Sequence, residues 1–201
     1  MWTQIENLIQ LSQNPIDDLE LERIPGNPER RNYYRFLYHL ARWRMPYTVL
    51  EIGVESGFAS AYLSVATVGY GGHVIGIDHE DKRSVPIQGN YHFIPADSTD
   101  MRTWIKVGAM VQDYGKIGIV YQDSSHHYEA SLKEWNLYSG LMDYNAIWIC
   151  DDITPAFFDP KIDPPGMGMV QYFEQLPGEK RLYKDMLHFG NTQGIVLVNG
   201  L

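Results

Sequence analysis

The sequence predicts an α/β fold in which a mostly parallel sheet ends in an antiparallel hairpin. Five strand-like apolar runs alternate with segments of helical length, which is typical of parallel strands joined by crossover helices. Two further runs near the carboxyl end are separated only by residues 190–194, too few for a crossover helix, so they should pair as a hairpin. The predicted strands span residues 48–53, 73–78, 91–97, 117–123, 146–152, 182–189 and 195–199.

Size and composition predict one soluble domain that binds small molecules or proteins. The chain has 201 residues, of which 44% are hydrophobic, enough for a single full-sized core. A formal net charge of −9 argues against nucleic acid or an anionic membrane as a partner, since both require a basic surface. Only one cysteine, Cys150, is present, and no signal-peptide or membrane-spanning pattern is found, so a cytoplasmic location is predicted.

Residues 1–47 are predicted to form a helical extension packed on the core, and residues 48–201 the main domain. The first helix has an apolar face made by Trp2, Ile5, Leu8 and Ile9. A second helix is predicted to begin at the cap sequence Asn27, Pro28 and Glu29, to carry an apolar stripe over residues 36–41, and to end before Pro46. These helices offer apolar faces through which two copies could pair into a homo-oligomer.

The stretch from Thr48 to Leu63 predicts a ligand-binding turn. Its apolar strand carries Glu51 near its end, Gly53 and Gly57 follow, and a segment rich in small residues comes next. Glycine lets a backbone approach a ligand closely, and a helix beginning there points free N–H groups at the same place. The spacing does not match the dinucleotide pattern Gly-x-Gly-x-x-Gly, which argues against a nicotinamide or flavin cofactor.

Acidic residues recur at the ends of the predicted strands, which indicates a shared polar crevice at the carboxyl edge of the sheet. Asp78 follows one β-α-β step after the glycine turn, where a carboxylate typically accepts hydrogen bonds from a ribose diol, with Glu80 as the rival. Asp97 and Ser98 are suited to an adenine amino group. Asp97 could instead cap the next helix.

A second group of acids predicts a divalent metal site. Asp123 and Asp151 end neighbouring predicted strands, so their carboxylates can converge with that of Asp152. An all-oxygen ligand set suits Mg²⁺, or alternatively Mn²⁺ or Ca²⁺, better than Zn²⁺. His126 lies three residues after Asp123 and is predicted to be a general base, with His127 as the alternative base or a supporting group.

The chain resembles the class I S-adenosylmethionine-dependent methyltransferases over roughly residues 45–201, through the motifs VLEIGVESG, VIGID and PADS and through the terminal hairpin. That resemblance implies a Rossmann-like sheet of seven strands in the order 3-2-1-4-5-7-6, with helices on both faces and an antiparallel last strand. It implies S-adenosylmethionine as the cofactor. The predicted cofactor contacts are Glu51, Gly53, Gly57, Ser60, Asp78, Asp97, Ser98 and Asp123.

The strand-end acids narrow the resemblance to metal-dependent O-methyltransferases. The sequence is similar both to the catechol O-methyltransferase group and to the sugar, macrolide and cephalosporin-biosynthesis type, and histidine at His126 favours the latter because the catechol group usually has lysine there. That likeness implies a small-molecule hydroxyl as methyl acceptor. The alternatives are metal-independent transfer to an amine, a cofactor-binding module without catalysis, and a metal-dependent hydrolase.

A segment rich in proline and glycine, Thr154 to Gly168, follows the fifth predicted strand directly. It should therefore overhang the same sheet edge as the glycine turn. Its position favours a lid over the crevice, whereas its composition is equally typical of a stiff surface connection.

Overall fold

The structure is a computed structural model that describes residues 1–14, 24, 31–156, 158–184 and 192–198. The helices are α1 (Trp2–Ser12), α2 (Arg31–Arg44), α3 (Phe58–Val68), α4 (Met101–Tyr114), α5 (Tyr128–Tyr138) and α6 (Met169–Gln175). The strands are β1 (Thr48–Ile52), β2 (His73–Asp78), β3 (Tyr91–Pro95), β4 (Ile117–Gln122), β5 (Met142–Cys150), β6 (Glu179–Lys184) and β7 (Thr192–Val198). No helix in these ranges is long and apolar enough to cross a membrane.

The predicted sheet topology is confirmed. The seven strands are hydrogen-bonded in the order β3-β2-β1-β4-β5-β7-β6. The pairs from β3 through to β5 are parallel, while β7 is antiparallel to both β5 and β6. Strands β2 and β3 are added on one side of β1, whereas β4 and β5 are added on its other side. Open α/β sheets form a ligand-binding crevice at such a switch point, at the carboxyl edge of the sheet.

Buried residues alternate between the two faces of the sheet. On β1, Val49 packs with α1, α2 and α3, whereas its neighbour Leu50 packs with α4, α5 and α6. On β5, Ile147 and Trp148 divide in the same way. Successive strand side chains point to opposite faces, so a continuously apolar strand requires helices on both sides. The expected arrangement of helices on both faces is therefore confirmed.

Several strand boundaries differ from the prediction. The fifth strand begins at Met142 rather than at residue 146, and the sixth begins at Glu179 rather than at residue 182. The seventh begins at Thr192, inside the predicted connection. The additional residues at the starts of β5 and β6 include exposed polar side chains, which weaken the apolar pattern in the sequence. They still belong to the sheet because their backbones pair with neighbouring strands.

The amino-terminal helices contribute to the core of the chain itself. Ile5 and Ile9 of α1 are fully buried in the same cluster as Phe36 and Leu40 of α2. Trp2 Nε1 donates a hydrogen bond of 2.7 Å to a Glu179 carboxylate oxygen at the edge strand β6. The predicted cap at residues 27–29 lies outside the described residues. Subunit pairing through these helices stays a prediction.

Candidate active site

A cavity of about 640 Å³ opens at the carboxyl edge of the sheet, above β1, β2 and β4. The sequence-predicted residues that line it are Glu51, Gly53, Asp78, Asp97, Ser98, Asp123, His126 and Asp152. Three others, Gly57, Ser60 and Asp151, lie behind this lining, where they support residues that form it. The structure thus brings most of the predicted cofactor contacts, the predicted base His126 and two of the three predicted metal ligands to one cavity.

The turn after β1 is held tightly against β4. Gly53 has φ +88°, and a Cβ atom built on it would lie 1.9 Å from the carbonyl oxygen of Asp123. The Gly53 N–H donates to the carbonyl of Ile77 at 3.0 Å. Gly57 has φ +82° and is the N-cap of α3. Gly53 is therefore required both for its left-handed backbone and for the absence of a side chain.

Glu51 lies beneath this turn and is fully buried. Its Oε2 accepts a hydrogen bond from Ser60 Oγ at 2.5 Å and a longer one from the Tyr91 hydroxyl at 3.4 Å. Within the described part of the chain its Oε1 has no hydrogen-bond partner. Burial raises the pKa of Glu51 from 4.5 to about 8, even though the Ser60 and Tyr91 bonds lower it.

We expect Glu51→Gln to stabilise the ligand-free protein at alkaline pH. The folded state holds the Glu51 proton up to pH about 8, whereas the unfolded chain releases it near 4.5. The free energy of unfolding therefore falls as pH rises between these values, by about 5 kcal/mol in total. The amide removes this loss because it does not ionise, and its oxygen still accepts from Ser60.

Urea unfolding at pH 5 and pH 8.5 measures this effect. The advantage of the variant over the wild type should be small at pH 5 and much larger at pH 8.5. Glu55→Gln, an exposed acid on the same turn, is the control and should leave the pH dependence unchanged. A gain for Glu51→Gln that is equal at both pH values would contradict the assigned ionisation.

Asp78 fixes the same turn from the end of β2. Its Oδ2 accepts hydrogen bonds from the backbone N–H groups of Val54 and Glu55, both at 2.9 Å. Partial burial would raise the pKa of Asp78, but the backbone hydrogen bonds outweigh it and lower the pKa below 3.8. The rival Glu80 is exposed and pairs with Lys82 at 3.2 Å. Asp78 is thus the ionised acid that faces the cavity beside the turn.

The next loop carries Asp97 and Ser98. Asp97 Oδ1 accepts from the backbone N–H of Thr99 at 2.7 Å and from its hydroxyl at 2.8 Å. The N-cap of α4 is instead Asp100, which accepts from the Arg102 N–H. The cap alternative weighed for Asp97 is therefore wrong. Asp97 instead shapes the loop that lines the cavity.

Asp123, His126 and Asp152 form a compact group at the ends of β4 and β5. One ligand atom from each lies within 4.8 Å of the others. His126 Nε2 is 3.3 Å from Asp123 Oδ1 and 3.7 Å from Asp152 Oδ2. Burial lowers the pKa of His126, but the hydrogen bond that its imidazole donates to Asp123 and the nearby acid charges outweigh burial and raise the pKa.

Backbone strain marks the same group. His126 has φ +53° and Asp152 has φ +56°, in the left-handed region that residues with a side chain rarely adopt. Such conformations are disfavoured and are concentrated at functional sites, where the surroundings hold them. Asp123 is oriented separately, because the Tyr121 hydroxyl donates to its Oδ2 at 2.7 Å.

Asp151, the third predicted ligand, is more deeply buried than its neighbours and lies outside the compact group. Its Oδ1 accepts from the Gln193 side-chain amide at 2.9 Å and from the Asp152 N–H at 2.9 Å. Its Oδ2 has no hydrogen-bond partner among the described residues. Burial, followed by the charges of Asp123 and Asp152, raises the pKa of Asp151 to about 7. The three predicted acids therefore interact electrostatically.

The segment from Thr154 to Gly168 is tied to the start of α5 by Asp163. Its buried carboxylate accepts from the backbone N–H of Tyr128 at 2.8 Å and from that of Asp159 at 2.9 Å. His127 Nδ1 lies 3.4 Å from the same carboxylate, facing this segment. His127 thus contacts the loop, whereas His126 contacts the strand-end acids.

Sequence reasoning missed Glu134, which lines the cavity and is only 1% exposed. It accepts hydrogen bonds from Ser98, Gln122 and Ser124. Burial is the largest influence on Glu134 and raises its pKa, although these hydrogen bonds lower it. The sequence did contain a signal for the burial of Glu134, because this residue lies on the same helical face as the buried residues Ser131 and Tyr138.

Tyr34 of α2 also reaches the cavity. Its ring stacks on that of Phe58 with centroids 6.0 Å apart. Its neighbour Tyr33 is instead fully buried and contacts the Tyr121 ring edge-on. The cavity therefore has an aromatic wall formed by Tyr34 and Phe58.

Comparison with known proteins identifies a family. A family model described as a methyltransferase domain matches residues 50–153. No curated protein sequence matches the chain.

Solved structures share the fold at low sequence identity. The O-methyltransferase TomG from Streptomyces achromogenes, solved with S-adenosylmethionine, has a TM-score of 0.64 and 15% identity, covering 97% of this chain and 96% of its own. The O-methyltransferase from Bacillus cereus, solved with S-adenosylhomocysteine, has a TM-score of 0.57, 12% identity and coverages of 97% and 90%. MycE of mycinamycin biosynthesis, solved with Mg, S-adenosylhomocysteine and mycinamycin VI, has a TM-score of 0.59 and 17% identity over 97% of this chain and 53% of its own.

Proposed function

Because this chain belongs to the methyltransferase-domain family, we propose that it transfers a methyl group from S-adenosylmethionine to a hydroxyl of a small molecule with the help of a divalent cation. The observation that carries this proposal is that one cavity holds both a cofactor-type cradle and the group of Asp123, His126 and Asp152. A sugar or natural product is the favoured acceptor, and the structure of MycE contains mycinamycin VI.

The cradle fits the cofactor. S-adenosylmethionine carries an ammonium group, and Glu51 offers it a buried oxygen without a hydrogen-bond partner in the described chain. A cation at this point stabilises the ionised form of Glu51 and lowers its pKa. Asp78 is ionised beside the turn and suits a ribose diol. Gly53 lines the cavity beside these two acids.

The acids fit a divalent metal. Asp123 and Asp152 offer carboxylate oxygens to the same space, and Asp151 adds a buried oxygen without a hydrogen-bond partner in the described chain. Oxygen ligands of this kind suit Mg²⁺, Mn²⁺ or Ca²⁺. A cation there would also offset the charge repulsion that raises the pKa of Asp151. Mg is present in the MycE structure.

In the proposed reaction the chain positions two reactants and moves one proton. A divalent cation held by Asp123 and Asp152 would lower the pKa of the acceptor hydroxyl. His126 then takes the hydroxyl proton at Nε2, because carboxylates shared with a cation no longer raise its pKa as strongly. The cavity would hold the acceptor beside the methyl donor, which would supply the methyl group and leave as S-adenosylhomocysteine, so the encounter would become an oriented one. The acids around the cavity also accommodate the sulfonium charge.

Two substitutions separate cofactor binding from catalysis. Asp78→Ala should weaken S-adenosylhomocysteine binding at least about ten-fold, because it removes both the ribose acceptor and two backbone contacts of the turn. His126→Ala should leave that affinity within about three-fold and lower turnover about 10²–10⁴-fold. Calorimetry measures binding, and release of S-adenosylhomocysteine in an acceptor screen measures turnover.

Each result can contradict a different part of the proposal. If the wild type binds neither S-adenosylmethionine nor S-adenosylhomocysteine, the cofactor assignment is wrong. If it binds both but no acceptor is methylated, a cofactor-binding module is favoured. If His126→Ala keeps full turnover, the base is His127 or solvent.

A further inference from the structure

We propose that Glu134 is a positioning residue that sets the adenine end of the cofactor cavity by holding Ser98 and Ser124 in place. This inference rests on the proposed function, because the adenine end is defined by S-adenosylmethionine binding. Glu134 belongs to α5, whereas Ser98 follows β3 and Ser124 follows β4. One buried carboxylate therefore connects the two loops that flank this part of the cavity.

The contacts to Glu134 are short and divided between its two oxygens. Ser98 Oγ donates to Oε1 at 2.5 Å, and Ser124 Oγ donates to Oε2 at 2.8 Å. Gln122 Nε2 also donates to Oε2, at 2.6 Å. Hydrogen bonds to a carboxylate are stronger than those between neutral groups, so the two hydroxyls have well-defined positions.

Gln122 is itself held by hydrogen bonds, and it therefore helps to fix the position of the Glu134 carboxylate. Its Oε1 accepts from Trp148 Nε1 at 3.0 Å and from the Tyr172 hydroxyl at 2.7 Å. Its amide orientation is therefore set, and the NH₂ group faces Glu134. Tyr138 of the same helix adds a second contact to the loop, since its hydroxyl donates to the carbonyl of Ser98 at 2.7 Å.

This network links two parts of the cavity. Ser98 belongs to the loop that also carries Asp97, and Ser124 follows Asp123 directly. Loss of the carboxylate frees both hydroxyls and leaves the Gln122 amide only its longer contact of 3.4 Å with the Ser131 carbonyl. The adenine end then widens or shifts, while Asp123 stays oriented by Tyr121. Cofactor affinity should therefore fall more than the rate of the bound complex.

The test is calorimetry with S-adenosylhomocysteine on the full chain. Glu134→Gln, which keeps size and one acceptor, should weaken binding about 5–20-fold, and Glu134→Ala should weaken it more. The paired change Ser98→Ala and Ser124→Ala should produce a loss similar to that of Glu134→Gln. Adding Glu134→Gln to this pair should cost less than about two-fold more, since residues acting through one contact are not additive.

Kinetic measurements and a control variant distinguish the positioning role of Glu134 from a general loss of structure. The KM for S-adenosylmethionine should rise by the same factor as the dissociation constant, while kcat stays within about three-fold. Glu129→Gln, an exposed acid one turn earlier on α5, should bind like the wild type. Wild-type affinity in Glu134→Gln, or losses that multiply with the serine pair, overturns the inference. Absence of binding by the wild type itself overturns the proposed function and this inference with it.

Discussion

Asp123→Asn should abolish metal-dependent turnover and lower Mn²⁺ affinity at least about 100-fold. Asp123 lies at the end of the central strand β4 and is held by the Tyr121 hydroxyl at 2.7 Å. Its other oxygen faces His126 at 3.3 Å, inside the compact group. The amide keeps the size and the Tyr121 contact but removes the charge that a divalent cation requires. The expected loss is therefore electrostatic rather than steric.

Electron paramagnetic resonance of Mn²⁺ measures the affinity without an acceptor, and chelation followed by Mg²⁺ or Mn²⁺ addition measures the requirement in turnover. Asp113→Asn, an exposed acid on α4, is the control and should change neither. Turnover that survives thorough metal removal would favour a metal-independent transfer to an amine.

Asp151→Asn, measured in parallel, decides the role of the third acid. Asp151 was predicted as a ligand, yet the compact group consists of Asp123, His126 and Asp152. A loss of Mn²⁺ affinity equal to that of Asp123→Asn indicates direct coordination through Oδ2. A loss below about ten-fold indicates that Asp151 acts only through its charge. Asp152→Asn should match Asp123→Asn.

The order of strands in the sheet could be predicted because the sequence shows the order of helices and strands along the chain and also contains recognisable family motifs. The roles of individual acids could not be separated in this way. Asp97 and Asp100 look alike in the sequence, yet only Asp100 caps α4, because the cap depends on where the backbone turns. Asp151 and Asp152 are adjacent in the sequence, yet only Asp152 belongs to the compact group, whereas Asp151 is more deeply buried and accepts from Gln193.

Contacts between distant segments explain what was missed. Glu134 belongs to the network of Ser98, Gln122 and Ser124, which come from a loop, a strand and another loop. Residues so far apart in the sequence form no periodic pattern from which their contacts could be predicted. An acid on an otherwise buried helical face was the available signal, because burying a carboxylate is costly unless it is hydrogen-bonded.

Gly53→Ala should lower the free energy of unfolding by roughly 3 kcal/mol or more and remove cofactor binding. The left-handed backbone alone disfavours alanine, and the new Cβ would lie 1.9 Å from the carbonyl oxygen of Asp123. The turn after β1 must therefore separate from β4. That movement displaces the cradle from Asp123 at the point where methyl donor and acceptor would meet.

Gly57→Ala is the matched control, because φ is similarly positive at +82° but the nearest atom to its Cβ would be Arg83 Cγ at 3.0 Å. This contact requires a shift of only a few tenths of an ångström, so little beyond the backbone penalty of roughly 1–2 kcal/mol should remain. Urea unfolding of both variants measures the difference, and calorimetry with S-adenosylhomocysteine measures the consequence. An insoluble Gly53→Ala beside a folded Gly57→Ala agrees with the expectation. Equal stability of the two variants would show that β4 yields to the turn, and the close contact between Gly53 and Asp123 would then not determine the shape of the site.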